Sequence, residues 1–355
     1  MQEILIVPGL PLQIKNMKIL VVGPSWVGDS VMAQALYKRI KQEEPSAKIE
    51  VIAPEWSLNL LDRMPEVDKK IASPFTHGDI KVYERFQLGK KLQRESYERS
   101  IILTNSFKSA LLPYFAKIKV RTGWLGEFRY GLINDIRSSN ELKKSLMVEK
   151  FAALSLEKEN FSLENLSLPK LEINSNNLSL LLEKNLVEKE KPALALCPGA
   201  EFGPSKRWPS EYYSEIAKTY ISHGWNVFCI GSKNDENIGI EIENTNNLSN
   251  EINFINLIGK TSLLDAIDIL SYAKKVVTND SGLMHIAAAV GTPLVALYGP
   301  SSPEYTPPLI DKKQILRKME GYKKVRYGTS EKGYHQSLIE ISPEEVLFAL
   351  EGLYQ

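Results

Sequence analysis

Thr278-Asn279-Asp280-Ser281-Gly282-Leu283-Met284-His285-Ile286-Ala287-Ala288-Ala289-Val290-Gly291-Thr292-Pro293 is the stretch whose reading decides the fold. An apolar strand, Lys275 to Thr278, ends here and three residues of the capping type follow. A small-residue helix then runs for about two turns, and Gly291 closes it before a second strand, Pro293 to Leu297. Strand, short loop, helix and strand in this order are the unit of a parallel sheet. The pattern extends upstream, with a strand at Ala193 to Cys197, a helix near Ser210 to His223 and a strand at Trp225 to Ile230. The chain also opens with it: a strand at Lys18 to Val22, a helix around Ser30 to Gln42, a strand at Ile49 to Ala53 and a third strand at Ser100 to Leu103. Between the two series lie a charged, helical stretch, Leu142 to Glu159, and a polar segment rich in Asn, Ser and Leu that ends near Asn185. The predicted fold class is therefore α/β, two Rossmann-like doubly wound domains facing across a cleft between the carboxyl ends of two parallel sheets.

Composition agrees with this size and narrows the class. At 355 residues the chain exceeds what one core usually organises, and 43% hydrophobic content is enough for two. A net charge of +1 with 25% charged residues argues against a protein held to nucleic acid by phosphate neutralisation, so no nucleic-acid partner is expected. No run approaches the ~18 apolar residues of a membrane-spanning helix, and the first segment has neither the basic start nor the cleavage site of a signal peptide. A cytoplasmic protein is expected, with Cys197 and Cys229 as packed thiols. Residues 1–16 precede a second methionine, Met17, and are set aside as a leader without an assigned role.

Three loops carry candidate chemistry. Gly23-Pro24-Ser25-Trp26-Val27-Gly28-Asp29-Ser30 has the glycine spacing of a P-loop with an aspartate where the phosphate-binding lysine belongs. A carboxylate there repels polyphosphate, and the loop also lacks the G-x-G-x-x-G of a dinucleotide site. Asp29 reads either as a helix cap or as a general base. The corresponding loop of the second half, Pro198-Gly199-Ala200-Glu201-Phe202-Gly203-Pro204-Ser205-Lys206-Arg207-Trp208-Pro209, has the opposite charge. Ser205, Lys206 and Arg207 are donors for a phosphate there, or a solvated surface. At the third loop the amides of Ser281, Gly282 and Leu283 begin a helix and can meet a pyrophosphate, or simply belong to a capped helix. His285 faces either that ligand or the core. Asp235 and Glu236, after the strand ending at Ile230, stand where acids receive ribose hydroxyls or where loop acids are merely exposed.

In this order these residues resemble glycosyltransferase family nine, the bacterial heptosyltransferases that build the inner core of lipopolysaccharide. The resemblance covers the chain from Met17. It rests on Gly23 to Asp29, on Asn105-Ser106-Phe107-Lys108-Ser109 with Arg121-Thr122-Gly123-Trp124, and on Lys206-Arg207-Trp208-Pro209. Gly321-Tyr322-Lys323-Lys324-Val325-Arg326 and Gly333-Tyr334-His335-Gln336-Ser337-Leu338 are similar to the second type of these enzymes rather than the first. The layout implied is the GT-B architecture: an acceptor-binding domain at 17–185, an ADP-sugar-binding domain at 186–340, and a helix at 341–355, capped at Ser342 with Pro343 behind it, that returns toward the first domain.

The resemblance further implies that Asp29 is the catalytic base and that Lys206 contacts the donor diphosphate. Asp280 would hold a donor-sugar hydroxyl, Ser281, Gly282 and His285 would receive the phosphates with the Leu283 amide beside them, and Asp235 would lie near the ribose. Ser205 is grouped with this donor set. The acceptor is anionic, and Asn105, Lys108, Arg121 and Arg129, with Arg137 close in sequence, are its candidates in the first domain. The implied reaction moves L-glycero-D-manno-heptose from ADP-heptose to the first heptose of the inner core with inversion. The lipid-linked acceptor is met at the cytoplasmic face of the inner membrane, where the protein would be peripheral. No Asp-x-Asp pair is present, so no metal site and no resident cofactor is expected, with stimulation by a divalent cation left open. Two rivals remain at this level. One is a nicotinamide-dependent oxidoreductase in which Glu55 binds a ribose; the other is a catalytically silent sugar-nucleotide-binding protein.

Overall fold

The computed structural model describes residues 17–76, 78–137, 145–155 and 166–354. The apolar run Lys18–Val22 forms strand β1, and its Ile19, Leu20 and Val21 are buried on whichever face they point. Such a strand belongs inside a sheet covered on both sides. Around it stand β2 (Lys48–Pro54), β3 (Lys69–Ser73), β4 (Arg99–Ile102), β5 (Val120–Trp124) and β6 (Asp135–Arg137), in the spatial order β3-β2-β1-β4-β5-β6 and parallel throughout. Helices α1 (Val27–Glu43), α2 (Leu58–Leu61), α3 (Val82–Leu92) and α4 (Phe107–Phe115) make the crossovers. After α5 (Met147–Ala152) and α6 (Ser175–Lys184) the plan repeats.

The second sheet contains β7 (Ala193–Cys197), β8 (Asn226–Cys229), β9 (Phe254–Asn256), β10 (Lys275–Asn279), β11 (Leu294–Tyr298) and β12 (Lys313–Arg317), ordered β12-β11-β10-β7-β8-β9. Its helices are α7 (Ser210–Ser222), α8 (Glu236–Thr245), α9 (Leu263–Tyr272), α10 (Gly282–Ala289), α11 (Gln336–Ile339) and α12 (Pro343–Glu351). Counted from its own first strand, this order is that of the first sheet. The strand order reverses between β1 and β4 in one half and between β7 and β10 in the other, which puts ligands beside the loops that follow those strands.

The two halves meet where α1 packs on α10. Two glycines permit the approach. A Cβ on Gly28 would lie 2.6 Å from His285 Cδ2, and one on Gly282 would lie 2.7 Å from Val27 Cβ. The connection is knitted to both halves. Gln34 exchanges hydrogen bonds with the Lys170 backbone at 2.8 and 2.9 Å, Leu171 N–H donates to the Ala289 carbonyl at 3.0 Å, and Glu172 N–H donates to the Arg63 carbonyl at 2.9 Å. Arg63 in turn forms a buried ion pair with Asp268 at 2.6 Å, and the other oxygen of Asp268 accepts from Asn174 N–H at 2.8 Å.

Several expectations need correction. The strand predicted third is the fourth along the chain, because β3 precedes it as a largely exposed edge strand. The polar segment before Asn185 contains α6, whose cap is Asn174: its side chain accepts from the amides of Asn176 and Asn177. The final helix does not return to the first domain. Its Val346 and Leu350 join Trp208, Tyr213 and Ile216 in the core of the second, and Lys275 Nζ donates to the Leu350 carbonyl at 2.7 Å. An apolar helix face goes where it removes most surface from water, and here the uncovered surface is that of the second sheet. The leader at 1–16 and parts of the stretch Leu142 to Glu159 lie outside the described residues. Among the described residues no helix is long and apolar enough to cross a membrane.

Candidate active site

Asp29 stands in the first turn of α1 at the mouth of the cleft. The N-cap of that helix is Trp26, with φ −109° and ψ 143°, and the Asp29 carboxylate accepts no hydrogen bond among the described residues. The cap reading therefore does not account for it. Burial without a hydrogen-bond donor penalises the anion and pushes the carboxyl up to about 6; Lys206 opposes this and the Asp280 carboxylate adds to it. An acid of the first domain thus feels a cation and an acid of the second.

The loop after β7 ends in a single 3-10 turn, Pro204 to Lys206, and Lys206 Nζ lies 2.6 Å from Asp280 Oδ2 at the end of β10. The same ammonium sits 5.5 Å from the Phe202 ring centroid. Asp280 is 7% exposed, so this pair is shielded on the acid's side while the lysine still reaches solvent. An ammonium carries three N–H donors, and one spent on Asp280 leaves two for a ligand.

Two other members of the predicted donor set are differently employed. Ser205 is fully buried and its hydroxyl donates to the Val325 carbonyl, so it ties the loop to residues 321–326 instead of presenting a donor. Asp235 is buried as well. One of its oxygens accepts from Ser232 N–H and Oγ at 3.0 and 2.7 Å, the other accepts from Arg207 at 3.2 Å, and it lies against Gly199, where an added Cβ would be 2.4 Å from Oδ2. Its oxygens are spent inside the loop, whereas a ribose hydroxyl needs an accessible acceptor.

At the third loop, Ser281 is the N-cap of α10 in an extended conformation, with φ −144° and ψ 174°, but among the described residues its side chain makes no capping bond and its Oγ is buried without a partner. The first-turn amides, those of Gly282 and Leu283 included, are thus left without a side-chain cap, as an anion site requires. His285 resolves to the core side. It is 5% exposed, packed against Gly28, and held neutral because burial lowers its imidazole to about 4; Asp280 opposes that shift and Lys206 reinforces it. Its Nδ1 has no partner among the described residues. A neutral buried ring brings no charge to a phosphate.

The acceptor candidates divide in the same way. Arg129 is 0% exposed and donates to the carbonyls of Thr104 at 2.6 Å and Trp124 at 2.5 Å and to Ser109 Oγ at 3.1 Å; burial lowers its guanidinium to about 10. Arg121 donates to the carbonyls of Leu132 and Ile118, both at 2.6 Å, and lies over the Tyr114 ring. Arg137 is buried and bonds Asp135 and the Ser155 carbonyl. These arginines clamp loops, because a guanidinium fork satisfies several carbonyls at once. Asn105, by contrast, is exposed, and Lys108 is half-buried in the first turn of α4 with no acidic partner among the described residues.

Sequence reasoning missed two features. Asn279, noted only as a capping type, is buried and bonds both ends of the Lys206 loop. The rim of the first domain also carries the exposed apolar side chains of Trp26, Phe107, Leu125 and Phe128, each just beyond the carboxyl end of a strand. For Trp26 and Phe107, aromatic residues at strand-to-helix junctions were the available signal. Among the described residues no group of three or more His, Cys, Asp or Glu side chains could hold a metal ion.

Two facing Rossmann-like domains, with a carboxylate from the first set against a lysine and a helix N-terminus of the second, define a glycosyltransferase of the GT-B type. The chain matches glycosyltransferase family 9 (heptosyltransferase) over residues 85–335. It is 47% identical to lipopolysaccharide heptosyltransferase 2 of Salmonella typhimurium across 95% of this chain and 98% of the relative. It is also 47% identical to lipooligosaccharide heptosyltransferase 2 of Haemophilus influenzae, across 95% and 99%. A solved structure, the ADP-heptose lipopolysaccharide heptosyltransferase II of E. coli, superposes with a TM-score of 0.86 at 44% identity, covering 95% of this chain and 98% of that one. The protein belongs to glycosyltransferase family 9. Membership removes the oxidoreductase reading.

Proposed function

We propose that the protein transfers L-glycero-D-manno-heptose from ADP-heptose to the first heptose of the lipopolysaccharide inner core, with inversion at the anomeric carbon. The observation that carries the reading is that the first turn of α1, which holds Asp29, packs against the first turn of α10, beside the Lys206–Asp280 ion pair. The names of the relatives, each a heptosyltransferase of the second type, support heptose as the sugar, ADP-heptose as the donor and lipopolysaccharide or lipooligosaccharide as the class of acceptor.

In this reading the acceptor hydroxyl enters from the first domain and gives its proton to the Asp29 carboxylate as its oxygen bonds to the anomeric carbon. The bond from that carbon to the diphosphate oxygen breaks on the opposite face, and ADP leaves. A base poised near the working pH suits such a step. Lys206 and the amides at the start of α10 stabilise the charge that grows on the diphosphate, and Asp280 orients the donor sugar. With the charge carried by protein groups, the reaction needs no resident cofactor, and transfer persists in a chelator. Lys108 and Asn105 take the anionic part of the acceptor. The protein works in the cytoplasm and meets its lipid-linked acceptor as a peripheral protein at the inner membrane.

The test is incubation with ADP-heptose and purified core acceptors carrying zero, one or two heptoses, read by mass spectrometry. One heptose is added to the one-heptose acceptor alone. Transfer to the acceptor without heptose overturns the assignment of type, and no transfer to any of the three favours a silent binding protein.

A further inference from the structure

We infer that Asn279 is a positioning residue for transfer: it grips the loop Pro198 to Trp208 at both ends and so sets Lys206 opposite Asp29. The inference rests on the roles given to Asp29 and Lys206 above. Asn279 is the last residue of β10 and is fully buried. Its Nδ2 donates to the Pro198 carbonyl at 2.7 Å, where the loop leaves β7. Its Oδ1 accepts from Trp208 N–H at 3.0 Å, where the loop enters α7, and from the Tyr213 hydroxyl at 3.1 Å. One planar amide offers a donor and an acceptor side by side, which neither a carboxylate nor a hydroxyl reproduces at both points.

The next residue takes hold of the tip. Asp280 Oδ2 lies 2.6 Å from Lys206 Nζ, so adjacent residues at the end of one strand hold the loop at its ends and at its functional side chain. β10 lies between β7 and β11 in the interior of its sheet, a rigid place from which to hold a site. Further side-chain ties of the loop run to loops and turns, among them Ser205 to Val325, Arg207 to Asp235, Glu201 to Asn234 and Trp208 to the Ile341 carbonyl. Asn279 ties it to the sheet.

This role has a signature that simple loss of stability lacks. Among the described residues the charged groups that act on Asp29 are Lys206 and Asp280, and the neighbouring ring of His285 is neutral. Lys206 is the one cation among them that favours the carboxylate. If the loop slackens and Lys206 withdraws, Asp29 holds its proton to higher pH and the acidic limb of kcat/KM moves up with it.

The experiment compares Asn279→Ala, Lys206→Ala and the double variant by steady-state kinetics across pH. Asn279→Thr serves as a second, neutral variant of similar size that cannot reach both ends of the loop at once. Asn279→Ala should lower kcat by roughly ten- to hundredfold, the scale of a misplaced catalytic group, with little change in acceptor KM. It should also raise the acidic limb, and the double variant should be no slower than Lys206→Ala alone. Asn279→Thr should show the same changes to a smaller extent without adding a charge near Asp29, and it decides the matter if the alanine variant fails to fold. Multiplicative losses in the double variant, or an unmoved limb, overturn the inference. If Lys206→Ala is impaired while both Asn279 variants behave as wild type, the inference alone fails. If Lys206→Ala itself turns over normally with an unmoved limb, the reading of Lys206 fails and takes the inference with it.

Discussion

Replacing Asp29 with asparagine keeps the shape and polarity of the side chain and removes its basicity, so a helix-capping role and a catalytic role predict opposite results. As the base, Asp29→Asn should retain ADP-heptose binding while turnover falls about 10²- to 10⁴-fold, or roughly 3 to 5 kcal/mol of transition-state stabilisation. The wild-type rate should fall away below a pH of about 6, where the carboxyl takes up its proton.

The same shift sets a stability effect. The folded-state value of Asp29 is raised from 3.8 to about 6, so the native state binds the proton more tightly than the unfolded chain does. The resulting penalty is absent below the unfolded value, grows as pH rises from about 4 to about 6, and is fully present above that. At 1.36 kcal/mol per unit the shift corresponds to about 3 kcal/mol. Partial exposure, and the favourable placement of an anion in the first turn of a helix, reduce this to about 1–2 kcal/mol. Asp29→Asn should therefore be more stable than wild type at pH 8 and indistinguishable near pH 4. Denaturant unfolding at the two pH values, run beside single-turnover transfer assays, measures both. A variant that turns over normally, or one that is destabilised at pH 8, refutes the assignment.

Lys206→Ala should weaken ADP binding in calorimetric titration and slow transfer as well, because charge on the leaving diphosphate grows toward the transition state; unchanged affinity together with unchanged turnover would remove its role. Lys108→Ala should raise the acceptor KM several-fold and make activity more salt-sensitive with ADP affinity intact, if the donor binds the other domain as proposed; a defect confined to the donor places it on the wrong side of the cleft. Arg129→Ala should instead lose roughly 3 kcal/mol of stability by orphaning the Thr104 and Trp124 carbonyls, and a normal unfolding midpoint with a raised acceptor KM would return it to the binding set. Gly28→Ala places a methyl 2.6 Å from His285 Cδ2 and should cost about 1–3 kcal/mol together with activity, as α1 is levered from α10; thermal unfolding at the wild-type temperature would show that the seam yields.

The sequence by itself determined the architecture and the places where chemistry could occur. Apolar runs such as Leu20-Val21-Val22 and Val276-Val277, ending in glycine or capping residues, have to be interior parallel strands, and their carboxyl ends have to carry the loops of Asp29, Lys206 and Asp280. What stayed illegible was short, polar or at an edge. β3, β9 and β12 owe their strand conformation to a neighbour's hydrogen bonds and not to their own pattern. Tertiary structure alone decided which polar side chains are free to act. Arg121, Arg129, Ser205 and Asp235 carry the right chemistry for a ligand, but each is consumed by backbone groups or partners that are distant in sequence or hidden by the chain's path. Asp29 has the opposite history, a capping-type residue left without a cap bond and desolvated against the other domain. A residue type states what a group can donate, accept or ionise. Whether it does so for substrate or for its own fold depends on which unsatisfied atoms the packed chain brings within about 3 Å of it.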